Sequence, residues 1–511
     1  MFVARRLIVS CFVLLAATAA MFTLVAHAGD PLADLRLSTA PNRADLIAHR
    51  SEILHLDQSV PQRYAAWLGH ASGCLIPGRP CDLGRTVQGQ DVATLLGQAI
   101  VSTLTLVTGA LVLAILLGVG AGVISALRQR TGLDYAVTFS ASLFFSLPVF
   151  WVAVLLKQFL AIEANDWYAD PTVGPLAAAV LSALSGLFWG AVLGGDRARR
   201  WLIRFGAASV TFGLLEYLSV TGWFARPALG PGIIAACAFG IAVGVTALVA
   251  GPNRRGVLTS ALGAATAGSL AQFLVTGSLQ QPTWASFPTL LLLGLSAVGV
   301  AVLLGWLLGG PDRPAAIRAA VLTALLTGLV MVIDVMLRAL PGYSRLVRGR
   351  IIATAGSQTP NLDGTFWQTQ LDQLTHLVLP TLAIMLISYA TYSRYSRASL
   401  LDALGQDYVR TARAKGLPER TVILRHALRN ALIPVTTLAA VDFGVLIGGA
   451  VITEAVFARP GMGALFIQGL LPPLDPNPIM GFFGVVAVSV VVFNLLADIA
   501  YAYLDPRIRL G

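Results

Sequence analysis

Charge is scarce in this 511-residue chain: Asp, Glu, Lys and Arg make up 12% of it. A soluble fold of this length could bury a large core, but its surface would need roughly twice that share of charge. Cysteine is scarce as well, with four residues, and no Cys/His spacing has the form of a metal site. No segment reads G-x-x-x-x-G-K-[ST], so the chain lacks the phosphate-cradling loop of an ATPase motor. Two related halves, which many secondary transporters carry, are not evident either.

Apolar residues are abundant, at 56%. About twelve stretches are long enough to cross a hydrocarbon core of roughly 30 Å as helices. They fall at 7–26, 96–126, 134–162, 173–194, 201–222, 230–250, 257–277, 287–308, 317–337, 375–393, 431–454 and 480–503. The reading is an all-α polytopic membrane protein. Short loops rich in Lys and Arg mark the cytoplasmic side. Arg5 and Arg6, Arg128 and Arg130, Arg197 to Arg200, Arg254 and Arg255, Arg313 and Arg318, and Arg507 and Arg509 all share one side if every stretch crosses. Both termini are then cytoplasmic. Arg338, Arg345, Arg348 and Arg350 fall on the other side and oppose the ninth span. The net charge of +10 suits an anionic leaflet, so nucleic acid is not needed to explain it. Arg5-Arg6, an apolar run and Ala26-His27-Ala28 also fit a cleaved leader, although the run has the length of a span.

Residues 29–95 would lie outside. They hold Cys74 and Cys81, close enough in sequence to close a small disulfide loop where oxidation persists. The alternative is two unpaired small residues. Cys11 and Cys237 lie in apolar spans and read as packing residues.

The stretch DYVRTARAKGLPERTVILRHALRNALIP, residues 407–434, gathers Arg410, Arg413, Lys415, Arg420, Arg425 and Arg429 between two apolar segments. Good helix formers run to Lys415; Gly416 and Pro418 then break the helix, and a second helical pattern begins near Glu419. The loop is a helix–turn–helix with small residues, Ala412 and Ala414, before the turn. Small side chains allow another surface to approach closely. By composition alone the loop would be a solvated basic loop.

The order of residues goes further. Asp407 to Gly416 resembles the cytoplasmic EAA loop of ABC importer permeases in the oligopeptide/dipeptide branch, with Arg410 and Arg429 where the generic loop has Glu and Pro. SLPVFWVAVLL at 146–156, GGAVITEAVFARPGMGALF at 448–466 and NLLADIAYAYLDPRIR at 494–509 are similar to other segments of that family. The resemblance frames a permease core in two parts, 1–163 and 346–511, around an inserted six-span region at 164–345. It implies a six-helix type I importer core that binds no cofactor itself, with ATP and Mg on separate ATPase subunits. The implied partners are those ATPases, a second permease subunit, an extracellular or periplasmic solute-binding protein, a peptide substrate and bacterial membrane lipid. Nickel or another small solute is the alternative cargo, and a twelve-helix secondary transporter the alternative class.

The resemblance also implies roles for residues. Asp407, Tyr408, Arg410, Ala412, Arg413, Ala414, Lys415 and Gly416 would form the ATPase-coupling loop. Pro460, Gly461 and Gly463 would help form an outer gate, or a simple turn. Asp442 and Glu454 lie in or near the eleventh span; each is a pathway group or an interhelical partner. Arg204, Glu216 and Asp334 are charges inside the inserted spans, read as paired with a neighbouring helix or near a membrane end. Lys157 can snorkel to the outer boundary.

Overall fold

In the computed structural model, residues 2–76, 78–251, 253–281 and 284–504 are described. Arg507 and Arg509 therefore lie outside the described residues. Helices dominate: α1 Phe2–Ala28, α2 Val92–Leu127, α3 Gly132–Ser146, α4 Val149–Leu156, α5 Pro175–Leu193, α6 Arg197–Val220, α7 Gly230–Val249, α8 Arg255–Leu279, α9 Phe287–Leu308, α10 Arg313–Leu346, α11 Phe366–Gly405, α12 Asp407–Ala414, α13 Leu428–Gly449, α14 Val451–Val456, α15 Met462–Leu470 and α16 Pro476–Leu504. Shorter helices punctuate residues 33–75.

Among the described residues, ten helices are long and apolar enough to cross a membrane, or up to eleven with one bent pair. Two of the twelve expected spans account for the difference. The third is broken at Leu147-Pro148, where the flanking helices diverge by 106°. Pro148 has no N–H to give, and it holds Leu147 in an extended conformation (φ −88°, ψ 129°). The fifth, α6, forms as a helix, but Arg197, Arg199, Arg200, Arg204 and Glu216 leave it below that apolar threshold. The ninth span is longer than its apolar stretch, running through Pro341 to Leu346.

The chain divides into two compact units. One comprises Met1–Leu160, Thr354–Ser357 and His376–Gly511; the other comprises Ala161–Ala353 and Gln358–Thr375. The second thus takes in residues 358–375, which the sequence reading assigns to the core. The reason is a buried polar network. Asp372 accepts from the Tyr343 hydroxyl (3.0 Å) and the Thr359 N–H (2.7 Å), and Trp367 Nε1 donates to the Leu279 carbonyl (2.7 Å).

Within the second unit, small residues let helices approach. Ala261 and Ala265 of α8 pack with Ala316 and Ala319 of α10, and a Cβ at Gly305 of α9 would strike Ile317. Asp334, fully buried, accepts from the Leu229 and Gly230 N–H groups at the start of α7 and pairs with Arg338 at 2.8 Å. Arg338, one of the residues that oppose the ninth span, therefore answers a buried carboxylate while itself staying exposed. Arg204 lies across Gly190 of α5 and over the Trp201 ring.

In the first unit, α2 and α11 cross at Gly118 and Gly122. A Cβ at either would collide with Tyr392, Ser393 or Ser396, so the four-residue glycine spacing gives the two backbones their contact. Leu106, Val107, Ala110 and Ala114 of α2 extend this core against Ile384, Met385 and Tyr392 of α11.

Candidate functional site

The basic loop folds as a short amphipathic helix with a tight exit. Gln406 is extended, and α12 begins at Asp407. Val409 and Ala412, three residues apart, share one face and are buried with Leu400, Ala403, Val422, Ala427, Ala431 and Ala126. Those partners belong to the ends of α11 and α2, to the helical turn Val422–Ala427 and to the first turn of α13. The helix ends in a Schellman motif: the Gly416 N–H donates to the Arg413 carbonyl (2.9 Å) and the Leu417 N–H to the Ala412 carbonyl (3.4 Å). The motif demands a left-handed residue, and Gly416 supplies it at φ +73°. Pro418 then stops the helix from continuing.

Across the turn, the Arg413 guanidinium grips Glu419 through two bonds of 2.6 and 3.2 Å. Both side chains are exposed, so the clip shapes the turn and adds little stability. The Glu419 partner raises the Arg413 pKa further above its ordinary value. Tyr408, Arg410, Ala414, Lys415 and Leu417 are exposed on the outer faces of the helix and turn. Asp407 lies 3.5 Å from Arg410. The eight loop residues read from the sequence thus divide: Ala412 is seated, and the other seven stand on the surface.

The second candidate region is built around Glu454, which is fully buried. Thr103 of α2 donates to Oε1 (2.6 Å) and accepts from the Met462 N–H (2.9 Å); the Gly463 N–H donates to Oε2 (2.8 Å). The carboxylate therefore caps the N-terminus of α15, where unpaired N–H groups and the helix dipole favour negative charge. A Cβ at Gly461 would fall on that carboxylate, and one at Gly463 on the Val451 Cα. These glycines are present for close approach: Gly461 has an ordinary extended backbone (φ −116°). Both Glu454 oxygens are committed within the fold. Pro460 is exposed beside them.

Asp442 sits apart from this cap. It is half-buried on α13, and its Oδ2 accepts from the Tyr392 hydroxyl (2.9 Å). Lys157 Nζ turns to the Val456 carbonyl (3.4 Å). Cys74 and Cys81 form a disulfide, while Cys11 and Cys237 are free. Among the described residues, no three His, Cys, Asp or Glu side chains gather to hold a metal ion.

One network escaped sequence reasoning. Asp134, in the first turn of α3, is buried against Ser125 and Arg397; Arg397 Nε lies 3.1 Å from its Oδ1, and the Arg130 N–H donates to Oδ2 (2.8 Å). It ties the α2–α3 turn to α11 beside Ala126, part of the seat of α12. The available signals were an acidic residue three after Thr131, a helix-capping position, and an arginine pair, Arg394 and Arg397, in an apolar helix.

Residues 283–510 match the family described as binding-protein-dependent transport system inner membrane component. The match begins inside the segment that the sequence reading treats as inserted. The chain is 40% identical over 156 residues to the oligopeptide transport system permease protein OppB of Mycobacterium tuberculosis, covering 30% of this chain and 48% of that protein. It is 41% identical over 156 residues to the oligopeptide transport system permease protein AppB of Bacillus subtilis, again 30% and 48%. It is 42% identical over 147 residues to the dipeptide transport system permease protein DppB of Escherichia coli K12, covering 29% and 42%. The chain thus spans about half the length, or less, of the curated relatives it matches.

Proposed function

We propose that this multi-pass membrane chain, which carries a binding-protein-dependent transport system inner membrane component in its C-terminal part, is a permease subunit of an ATP-driven importer for dipeptides or oligopeptides. Its orientation in this reading has both termini cytoplasmic, with α6 crossing alongside α5. One observation carries the reading. The helix Asp407–Ala414 is seated by Val409 and Ala412 on the ends of α2 and α11, while its basic face remains open. A partner that grips the open face and moves it displaces membrane helices, because the seat is close-packed. The partner in this reading is a cytoplasmic ATPase subunit, which binds ATP and Mg. A second permease subunit and a solute-binding protein complete the complex.

Asp442 fits the same reading. A carboxylate on a membrane helix is costly against lipid, so its open side faces a water-filled path or the second permease. Residues 164–345 act as an accessory membrane unit in this reading. Deleting them, with Glu163 joined to Gly349 through a flexible connector, lowers abundance but leaves ATP-driven uptake per assembled complex measurable. A well-assembled deletion protein without uptake overturns that role.

The test of function is reconstitution of the chain with ATPases and a binding protein encoded beside it. Peptide-stimulated ATP hydrolysis with peptide accumulation supports the reading. Stimulation by nickel and not by peptide replaces the cargo; absence of an ATPase partner with solute uptake intact replaces the class.

A further inference from the structure

At the far end of α2 from the basic loop, the first unit holds a cavity of about 220 Å³. Its wall includes Thr86, Gln88, Gln90, Gln468 and Asp475. The 84–90 turn is tightly specified: Thr86 and Gln90 exchange backbone and side-chain bonds, and the backbones of Arg85 and Asp91 form an antiparallel bridge. Two contacts lock this turn to the start of α16 and the residue before it. The Val87 N–H donates to Asp475 Oδ2 (2.8 Å), and Asn477 Nδ2 donates to the Arg85 carbonyl (2.7 Å). The cavity lies between the turn, the end of α15 and the stretch leading into α16.

Asp475 is 5% exposed, and its Oδ1 has no hydrogen-bond partner among the described residues. It is the sole charged residue in the cavity wall. Arg50 lends its field, but its guanidinium is bound to the Pro31 carbonyl and to Asp34. Burial pushes the Asp475 carboxyl above the ordinary carboxylate range, against the Val87 and Asn477 N–H groups and the Arg50 charge. A buried carboxylate oxygen without a donor is costly, and a bound cation removes that cost. Gln88, Gln90 and Gln468 are exposed, so side-chain amides, each with a carbonyl that can accept, stand at the mouth beside the Asp475 carboxylate.

We propose that this cavity binds a primary ammonium group, with Asp475 as its counter-charge and the glutamine carbonyls as further acceptors. An ammonium offers three donors, which one carboxylate oxygen and two amide carbonyls can take. A calcium-like ion would require more oxygen ligands, and usually more negative charge, than this wall offers. The volume suits a group the size of one amino-acid residue. The source that fits the reading above is the N-terminal residue of a peptide; that part rests on the transport proposal, and the ammonium chemistry does not.

The experiment uses the full chain in lipid nanodiscs, with ligand binding followed by saturation-transfer NMR. The probes are butylammonium, trialanine and N-acetyl-trialanine. Butylammonium and trialanine are expected to bind and the acetylated peptide to bind at least about tenfold more weakly; Asp475→Asn should weaken both amines by a similar factor. Gln468→Glu, which adds a carboxylate at the mouth, should tighten butylammonium about threefold or more. An unfolded variant cannot produce that gain, so it keeps the test sound if Asp475→Asn disturbs the 84–90 turn. Binding of butylammonium but not trialanine upholds the ammonium site and overturns its peptide source. No butylammonium binding, or binding that neither substitution changes, overturns the site and leaves a water-filled recess.

Discussion

Two turns in the first unit, Lys415–Leu417 and Pro460–Gly463, both depend on glycine, for opposite reasons. Around Gly416 nothing lies within 4 Å of where a Cβ would stand; the constraint is the left-handed backbone of the Schellman motif. Around Gly461 and Gly463 the backbone is unexceptional, and the constraint is space, with a capped carboxylate and a helix backbone pressed against the glycine Cα atoms. A glycine at an open turn specifies a shape that another molecule can meet. A glycine in a closed turn specifies contact within the chain itself. The first is expected to matter for function and the second for folding.

The comparison breaks first at Gly463. Gly463→Val puts a branched side chain onto the Val451 backbone, which has no rotamer to escape by. The expected cost is about 4 kcal/mol or more, read as loss of monodisperse protein in detergent gel filtration. Retention of wild-type yield and melting would show that the turn has room. Glu454→Gln is expected to cost less, about 1–3 kcal/mol. The amide keeps one acceptor but turns an N–H₂ toward either Thr103 or the Gly463 N–H. A thermal melt should fall while the elution profile is kept.

Gly416→Val tests the open turn. Strain from a β-branched residue in the left-handed region is about 1–2 kcal/mol, and there is no steric clash to add to it. Membrane insertion and melting should stay near wild type, while peptide-stimulated ATP hydrolysis in the reconstituted complex is lost. Normal stimulation would remove the coupling role from this turn.

The smallest effect sharpens the same contrast for caps. Asp91 caps α2 from an exposed position, its side chain accepting from the Thr94 hydroxyl and N–H. Those two bonds hold its carboxyl below the ordinary carboxylate range. Its contribution is therefore complete above the unfolded carboxyl value and is lost as pH falls through the lowered one. Asp91→Ala should cost about 1 kcal/mol at neutral pH. Melts of variant and wild type should converge only once the pH has fallen below that lowered value, where the Asp91 carboxyl is protonated.

Legibility in the sequence follows the reach of each interaction. Hydropathy marked where helices would form, and Gly416 and Pro418 were readable because their effects stay within a residue or two; Pro148 acts as locally, yet the apolar run 134–162 masked its break. The pairings that define the sites were not. Glu454 and Thr103 are 351 positions apart, Asp475 and Val87 388, and Arg397 and Asp134 263. No local period records which carboxylate meets which donor. Asp372 is the sharpest case: its neighbours in sequence point to the core, and its bonds to Tyr343 and Thr359 place it in the other unit.

The crossing of α2 and α11 at Gly118 and Gly122 has a mechanical corollary. Side-chain contacts from Thr103 to Ala114 also hold α2 in place; once they yield, the glycine contact acts as the fulcrum of a rod. From Gly120 to Ala126, in the seat of α12, the rod measures about 9 Å; from Gly120 to Leu95, in the wall of the cavity, it measures about 38 Å. The arms stand in a ratio of about four, at 1.5 Å of rise per residue. Tilting α2 by a displacement of about 1 Å at its short arm would sweep the cavity end through about 4 Å, more than a water diameter, with the tilt axis set by two glycines whose side chains are hydrogen atoms.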